Sequence, residues 1–250
     1  MEKIFPRIST RGFYDLYSGK TMINEPYHLY PKRDFENLVN TKEITIMIHG
    51  LRNNPSSALT KFVIAKRRLV QLGYKKPVIG YSYDSNTFGA QYISYALHAL
   101  HTGIVIANRN GRNLARFIID FKRESPDTLI RLMGHSLGAH VIYSTVKNLA
   151  KNIKNKGIIE AVYLFGGSIP ANAFSTVNGS EMQKIVATKI KNYYGPHDDV
   201  LRLADEWNWV PTPIGYRGSR GKTIQKYTQT MVKPKNHRFA SYAKVLNSFP

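Results

Sequence analysis

The run Gly134-His135-Ser136-Leu137-Gly138-Ala139-His140 constrains this chain more than any other stretch. Before it lies the apolar segment 128–133, and after it the segment 141–149, which reads as helix. The pattern is strand, tight turn, helix. A serine spaced as G-x-S-x-G can occupy a strained turn because Gly134 and Gly138 carry no Cβ to collide with neighbouring backbone. Ser136 then presents its hydroxyl at the strand's end, and the N-terminal amides of the next helix face any negative charge that develops there. A glycine-rich turn that happens to contain serine is the alternative. The flanking strand and helix favour a nucleophile.

The rest of the sequence supplies a framework for such a turn. Segment 43–50, Glu-Ile-Thr-Ile-Met-Ile-His-Gly, is an apolar run without alternation, as expected of a central strand covered on both faces. Further strands are predicted at 77–84, 158–167, 189–195 and 224–232, and helices at 58–72 and 239–246. A long helical segment, 90–121, contains Gly103 and Gly111, which allow a bend or a break. Alternating strands and helices of this length predict an α/β fold with a mainly parallel sheet. Residues 1–40 read as an irregular or short-strand lead-in, with 12–17 the expected strand, and 168–188 holds a loop and one small helix, too little for a large lid domain. At 250 residues the chain is most simply one domain.

Serine is a poor nucleophile near neutral pH unless a base, itself held by a further group, takes its proton. Three acids stand at strand ends: Asp84, with Tyr83 beside it, and the pair Asp198 and Asp199. In α/β-hydrolases the order along the chain is serine, acid, histidine. Asp198 follows the strand two units after Ser136, and His237 follows the last strand. The His49-Gly50 turn lets backbone approach a substrate, so the Leu51 amide is a candidate oxyanion donor, while His49 itself reads as a residue that orients the loop. His49, Gly50, Tyr83, Asp84, Trp207 and Trp209 are the candidate substrate-binding residues. The tryptophans lie in an aromatic, proline-rich loop that either rims an apolar pocket or caps the core.

Composition narrows the classes. With no cysteine there is no disulfide, thiolate metal site or cysteine nucleophile, and nothing resembles a zinc, calcium or P-loop motif, so no metal or cofactor is expected. The net charge of +20 favours anionic partners, an anionic membrane surface or nucleic acid touched peripherally, through basic stretches at 61–68 and 147–156. Those stretches read equally well as plain solvated faces. No run is long and apolar enough for a transmembrane segment, and the first residues lack the apolar core of a secretory signal, so the default expectation is a cytoplasmic protein.

Segments 46–50, 132–142, 161–166 and 197–201, with His237, resemble an α/β-hydrolase, and within that superfamily they are most similar to the lipase-like transmembrane-and-coiled-coil-domain proteins. The resemblance implies an α/β-hydrolase fold, helices on both faces of the sheet, and hydrolysis of carboxylic esters, possible lipid esters included. It implies Ser136 as nucleophile, His237 as base, Asp198 as the acid with Asp199 in reserve, and the amides of Leu51 and Leu137 as the oxyanion hole. His140 and His197 are then structural. A catalytically silent, hydrolase-like protein bound to an anionic surface is the alternative of another class.

Overall fold

Among residues 5–250, which the computed structural model describes, eight strands form one sheet in the order β2-β1-β4-β3-β5-β6-β7-β8. The expectation about a secretory signal falls partly on residues 1–4, outside the described residues. The elements run β1 (Arg7–Ser9), β2 (His28–Tyr30), α1 (Lys32–Glu36), β3 (Glu43–Ile48), α2 (Pro55–Gln71), β4 (Val78–Ser82), α3 (Ala96–Glu124), β5 (Leu129–His135) and α4 (Gly138–Ala150). Then come β6 (Ile159–Phe165), α5 (Ser180–Ile185), β7 (Val186–Tyr194), α6 (Asp199–Glu206), α7 (Ile214–Arg217), β8 (Tyr227–Met231) and α8 (Phe239–Val245). Every pairing is parallel except β1 with β2.

Strand residues alternate between two cores. Ile44, Ile46 and Ile48 of β3 face one layer with Ile130 and Leu132 of β5, where Leu114 and Ile118 of α3 and Val141 and Val146 of α4 pack. Met47 and Met133 face the other, with Phe62 and Leu69 of α2 and Phe239 and Tyr242 of α8. A strand covered on both faces has no polar side to show, which is why β3 and β4 are buried at every position. The mainly parallel sheet with helices on both faces is the architecture expected of the sequence.

Two local expectations fail. Residues 12–17 do not form a strand and contribute only an isolated bridge, Tyr14 with Thr21. The cause is Asp84, whose carboxylate accepts the backbone amides of Gly12 (3.0 Å) and Tyr14 (3.1 Å), donors a ladder would need. Nor do Gly103 and Gly111 break α3, which runs unbroken for 29 residues. They serve close packing instead: a Cβ on Gly111 would lie 2.4 Å from the Ser144 side chain of α4, and one on Gly103 would lie 2.6 Å from Leu51 and 3.1 Å from Leu137. Between β6 and β7 there is a loop and the short α5. Among the described residues no helix is long and apolar enough to cross a membrane.

Candidate active site

The chain leaves β5 through Ser136, whose φ of 53° lies in the left-handed region. A non-glycine residue there costs ~1–3 kcal/mol and persists only where surrounding bonds hold it. The Ser136 amide donates to the Phe165 carbonyl (3.0 Å), and the Ser136 carbonyl accepts from Ala139 (3.0 Å) and Ser168 (3.3 Å). The glycines on either side are there for proximity. A Cβ on Gly138 would sit 2.6 Å from the Ile48 carbonyl oxygen, one on Gly134 2.7 Å from Ile142, and one on Gly50 2.8 Å from the Cβ of Ser136 itself. Any side chain at these points would push α4 or the end of β3 away from the serine.

Ser136 Oγ lies 2.8 Å from His237 Nε2, and His237 Nδ1 lies 2.7 Å from Asp198 Oδ2. An ionised carboxylate can only accept, so Nδ1 carries the proton and Nε2 is free to accept from the serine hydroxyl. Asp198 is fully buried. Its Oδ2 also accepts the Tyr242 hydroxyl (2.6 Å), and its Oδ1 accepts the Leu201 amide at the start of α6 (3.2 Å). Burial pushes the carboxyl up, but His237, Tyr242 and the Leu201 amide together hold it below the usual carboxylate range. Asp198, not Asp199, therefore caps the helix. Asp199 is exposed and pairs with Arg202 at 3.6 Å, away from the histidine.

Two neighbours went unrecognised in the sequence. Tyr242 reaches Asp198 from α8, and no local pattern marks it. His135 is buried beside Ser136, and its Nε2 lies 2.8 Å from the His237 carbonyl oxygen. Burial, with the nearby His237, lowers His135 to about 3, so the ring is neutral and donates from Nε2, fixing the backbone of the loop that carries His237. Burial lowers His140 to about 4, and its Nε2 holds the Ser168 carbonyl at 3.2 Å.

Past β3 the chain turns sharply at Arg52, with φ of 60°. Asn53 Nδ2 donates to the carbonyls of Gly50 (2.9 Å) and Leu51 (2.8 Å), and the Arg52 amide donates to Ser85 (2.7 Å). Arg11 braces the same loop through the Asn53 carbonyl (2.8 Å) and His49 Nε2 (3.1 Å). The amides of Leu51 and Leu137 make no hydrogen bond within the described residues. Both residues line the cavity above Ser136.

Most of the substrate-binding set is corrected. His49 and Tyr83 are fully buried and stacked on one another with ring centroids 4.5 Å apart, and burial and the Arg11 charge hold His49 well below its usual value. Asp84, the rival acid, is occupied by the amides of residues 12 and 14. The lead-in covers the end of β4, so none of the three lines the cavity. Gly50 lies directly against Ser136, as its missing Cβ shows, rather than on the cavity wall. Trp209 does line it, while Trp207 packs on Trp209 (centroids 4.7 Å apart) and is half-exposed.

The cavity measures about 770 Å³, within the usual range for small-molecule sites. Its lining includes the apolar residues Leu100, Val200, Leu201, Ala204, Trp209 and Val210. Among the described residues no cluster of His, Asp or Glu could hold a metal ion.

A family model described as a protein of unknown function (DUF726) matches residues 93–205, a span that holds Ser136 and Asp198 but ends before His237. No curated protein matches the sequence. Solved structures similar to the chain include TT1662 from Thermus thermophilus, 13% identical over 82% of this chain and 85% of that one, with a TM-score of 0.46. A cutinase-like protein from Cryptococcus sp. is 14% identical over 76% and 75%, with a TM-score of 0.38. A lipase-esterase related protein from Clostridium acetobutylicum is 11% identical over 82% and 91%, with a TM-score of 0.41. At these levels the likeness carries nothing about activity. With a mainly parallel sheet covered on both faces and a left-handed serine turn after β5, the chain has the α/β-hydrolase fold.

Proposed function

We propose that the protein is a serine hydrolase that cleaves carboxylic esters through an acyl-enzyme. The observation that carries this reading is the continuous hydrogen-bonded path from Ser136 through His237 to buried Asp198, at 2.8 Å and 2.7 Å. Ser136 Oγ attacks the acyl carbonyl as His237 Nε2 takes its proton. The oxyanion that forms is met by the Leu51 and Leu137 amides, worth ~3 kcal/mol per donor. Breakdown breaks the bond to the alcohol oxygen, which takes the proton from His237. Water then follows the same route to release the acid. Asp198 stays ionised, fixes the histidine tautomer and stabilises the imidazolium. Every proton in these steps is handled by a group of the chain. The apolar residues of the cavity lining suit an acyl chain.

A panel of p-nitrophenyl esters of increasing acyl length tests the reading. Wild type should release nitrophenol with an acyl-length optimum and Ser136→Ala should not. Equal background release by the two proteins would refute it. The net charge of +20 favours one second reading, a silent hydrolase-like protein on an anionic surface. Salt-sensitive binding to anionic vesicles that survives Ser136→Ala, with no turnover by wild type, would favour that reading.

A further inference from the structure

We infer that the natural substrate is an ester of an anionic alcohol, one whose leaving group carries a phosphate, carboxylate or similar fixed negative charge held by Arg52, Lys61 and Arg238 at the cavity. The inference rests on the reading of Ser136 as nucleophile and adds the class of substrate. Three cationic residues line the cavity, and no Asp or Glu does. Elsewhere the chain's arginines often find carboxylates: Arg116 and Arg123 pair with Asp120, Arg131 with Glu43, Arg202 with Glu206 and Arg217 with Asp205. Arg52, Lys61 and Arg238 form no ion pair among the described residues. Lys61 makes one long contact, 3.5 Å to the Ser57 carbonyl. Asp198 lies behind His237 and is already bonded by three groups, while Asp199 pairs with Arg202 and Asp205 with Arg217.

Two of the three cations, Lys61 and Arg238, feel one another. Lys61 is lowered from its usual value, first by burial and then by the charge of Arg238. A like charge beside half-buried Lys61 is a cost that a bound anion removes. The neighbouring basic residues of α2 are engaged differently. Arg68 bonds the Leu246 carbonyl at 3.0 Å, and Lys66 lies over the Phe5 ring. The basic stretch that looked uniform in sequence is therefore divided, and only Lys61 turns to the cavity.

Position assigns the charge to the alcohol. Arg238 directly follows His237, the group that returns a proton to the departing oxygen, and Lys61, which feels the Arg238 charge, lines the same cavity. The apolar part of the lining comes from another stretch of the chain, Val200, Leu201 and Ala204 of α6 with Trp209 and Val210 after it. An ester with an apolar acyl group and a negatively charged alcohol matches both sets of lining residues. A phospholipid and a water-soluble anionic ester share that chemistry.

The test compares two soluble butyrate esters that differ in charge, those of 4-hydroxybenzenesulfonate and of neutral 4-hydroxybenzenesulfonamide, with fatty-acid release from phosphatidylglycerol vesicles as a second arm. At low salt, kcat/KM should favour the sulfonate by about tenfold or more, as expected for charge-assisted binding at a partly exposed site. That preference should shrink toward one in Lys61→Gln and in Arg238→Gln, and in wild type at 0.5 M salt. Arg52 is not varied because its left-handed backbone shapes the Leu51 loop. With the preference present, release from vesicles identifies a phospholipid, and its absence a soluble ester. Hydrolysis of both soluble esters without preference overturns the inference and leaves the esterase reading standing. No hydrolysis of either, with no labelling of Ser136 by a fluorophosphonate, overturns both.

Discussion

Tyr242→Phe removes one oxygen from the core and tests how Asp198 is held. The hydroxyl donates to Asp198 Oδ2 at 2.6 Å, and both residues are fully buried, so solvent neither screens the bond nor replaces it. Phenylalanine keeps the ring against Gly166 and His135. A hydrogen bond to a charged group contributes ~1.5–3 kcal/mol net, and that loss is expected at pH 7. Its pH dependence follows from the direction of the shift. Asp198 is depressed in the fold, so its contribution is present above the unfolded carboxylate value, about 3.9, and disappears as pH falls through the lower folded value. The difference between wild type and Tyr242→Phe should therefore be largest at neutral pH and shrink in acid. Urea unfolding at pH 7 and at the lowest pH where the fold persists measures it. A loss below about 0.5 kcal/mol at pH 7, or one equal at both pH values, would refute the account of how the carboxylate is stabilised.

The acid's identity is open to a paired substitution. Asp198→Asn should lower kcat/KM for an activated ester by about 10⁴-fold, by allowing the wrong histidine tautomer, whereas Asp199→Asn should stay within about twofold. Asparagine still caps a helix, so thermal unfolding of Asp198→Asn should show that α6 survives. Gly138→Ala forces a Cβ to within 2.6 Å of the Ile48 carbonyl and should cost about 1–3 kcal/mol, read as a lowered Tm. An unchanged Tm would mean that α4 can retreat from β3 without penalty.

What the sequence makes legible is local or ordinal. The serine turn is legible because Gly134, Ser136 and Gly138 lie within five residues and their shared function is steric. The α/β fold is legible because apolar strand runs and helical runs alternate along the chain. Ser136, Asp198 and His237 are singled out by their order after β5, β7 and β8, and the fold brings them into one hydrogen-bonded path. What escapes depends on partners far along the chain. Asp84 at a strand end looks like a pocket residue until the lead-in, 70 and 72 positions earlier, takes its carboxylate. Tyr242 lies 44 positions from Asp198 and belongs to a helix whose sequence advertises only an apolar face. Gly103 and Gly111 look like helix breakers because propensity is a property of the isolated segment, whereas Ser144, Leu51 and Leu137 press on them from other elements. The same limit applied to α2, where a row of basic residues conceals that one faces the cavity and another ties down the chain after α8.

The central claim is that Ser136 is an activated nucleophile, and covalent labelling tests it most directly. Intact-mass spectrometry of the folded protein after exposure to a fluorophosphonate should show a single adduct, mapped to the peptide containing Ser136. The adduct should be absent from Ser136→Ala and form far more slowly in His237→Ala. No adduct on wild type above the level seen with Ser136→Ala would contradict the account.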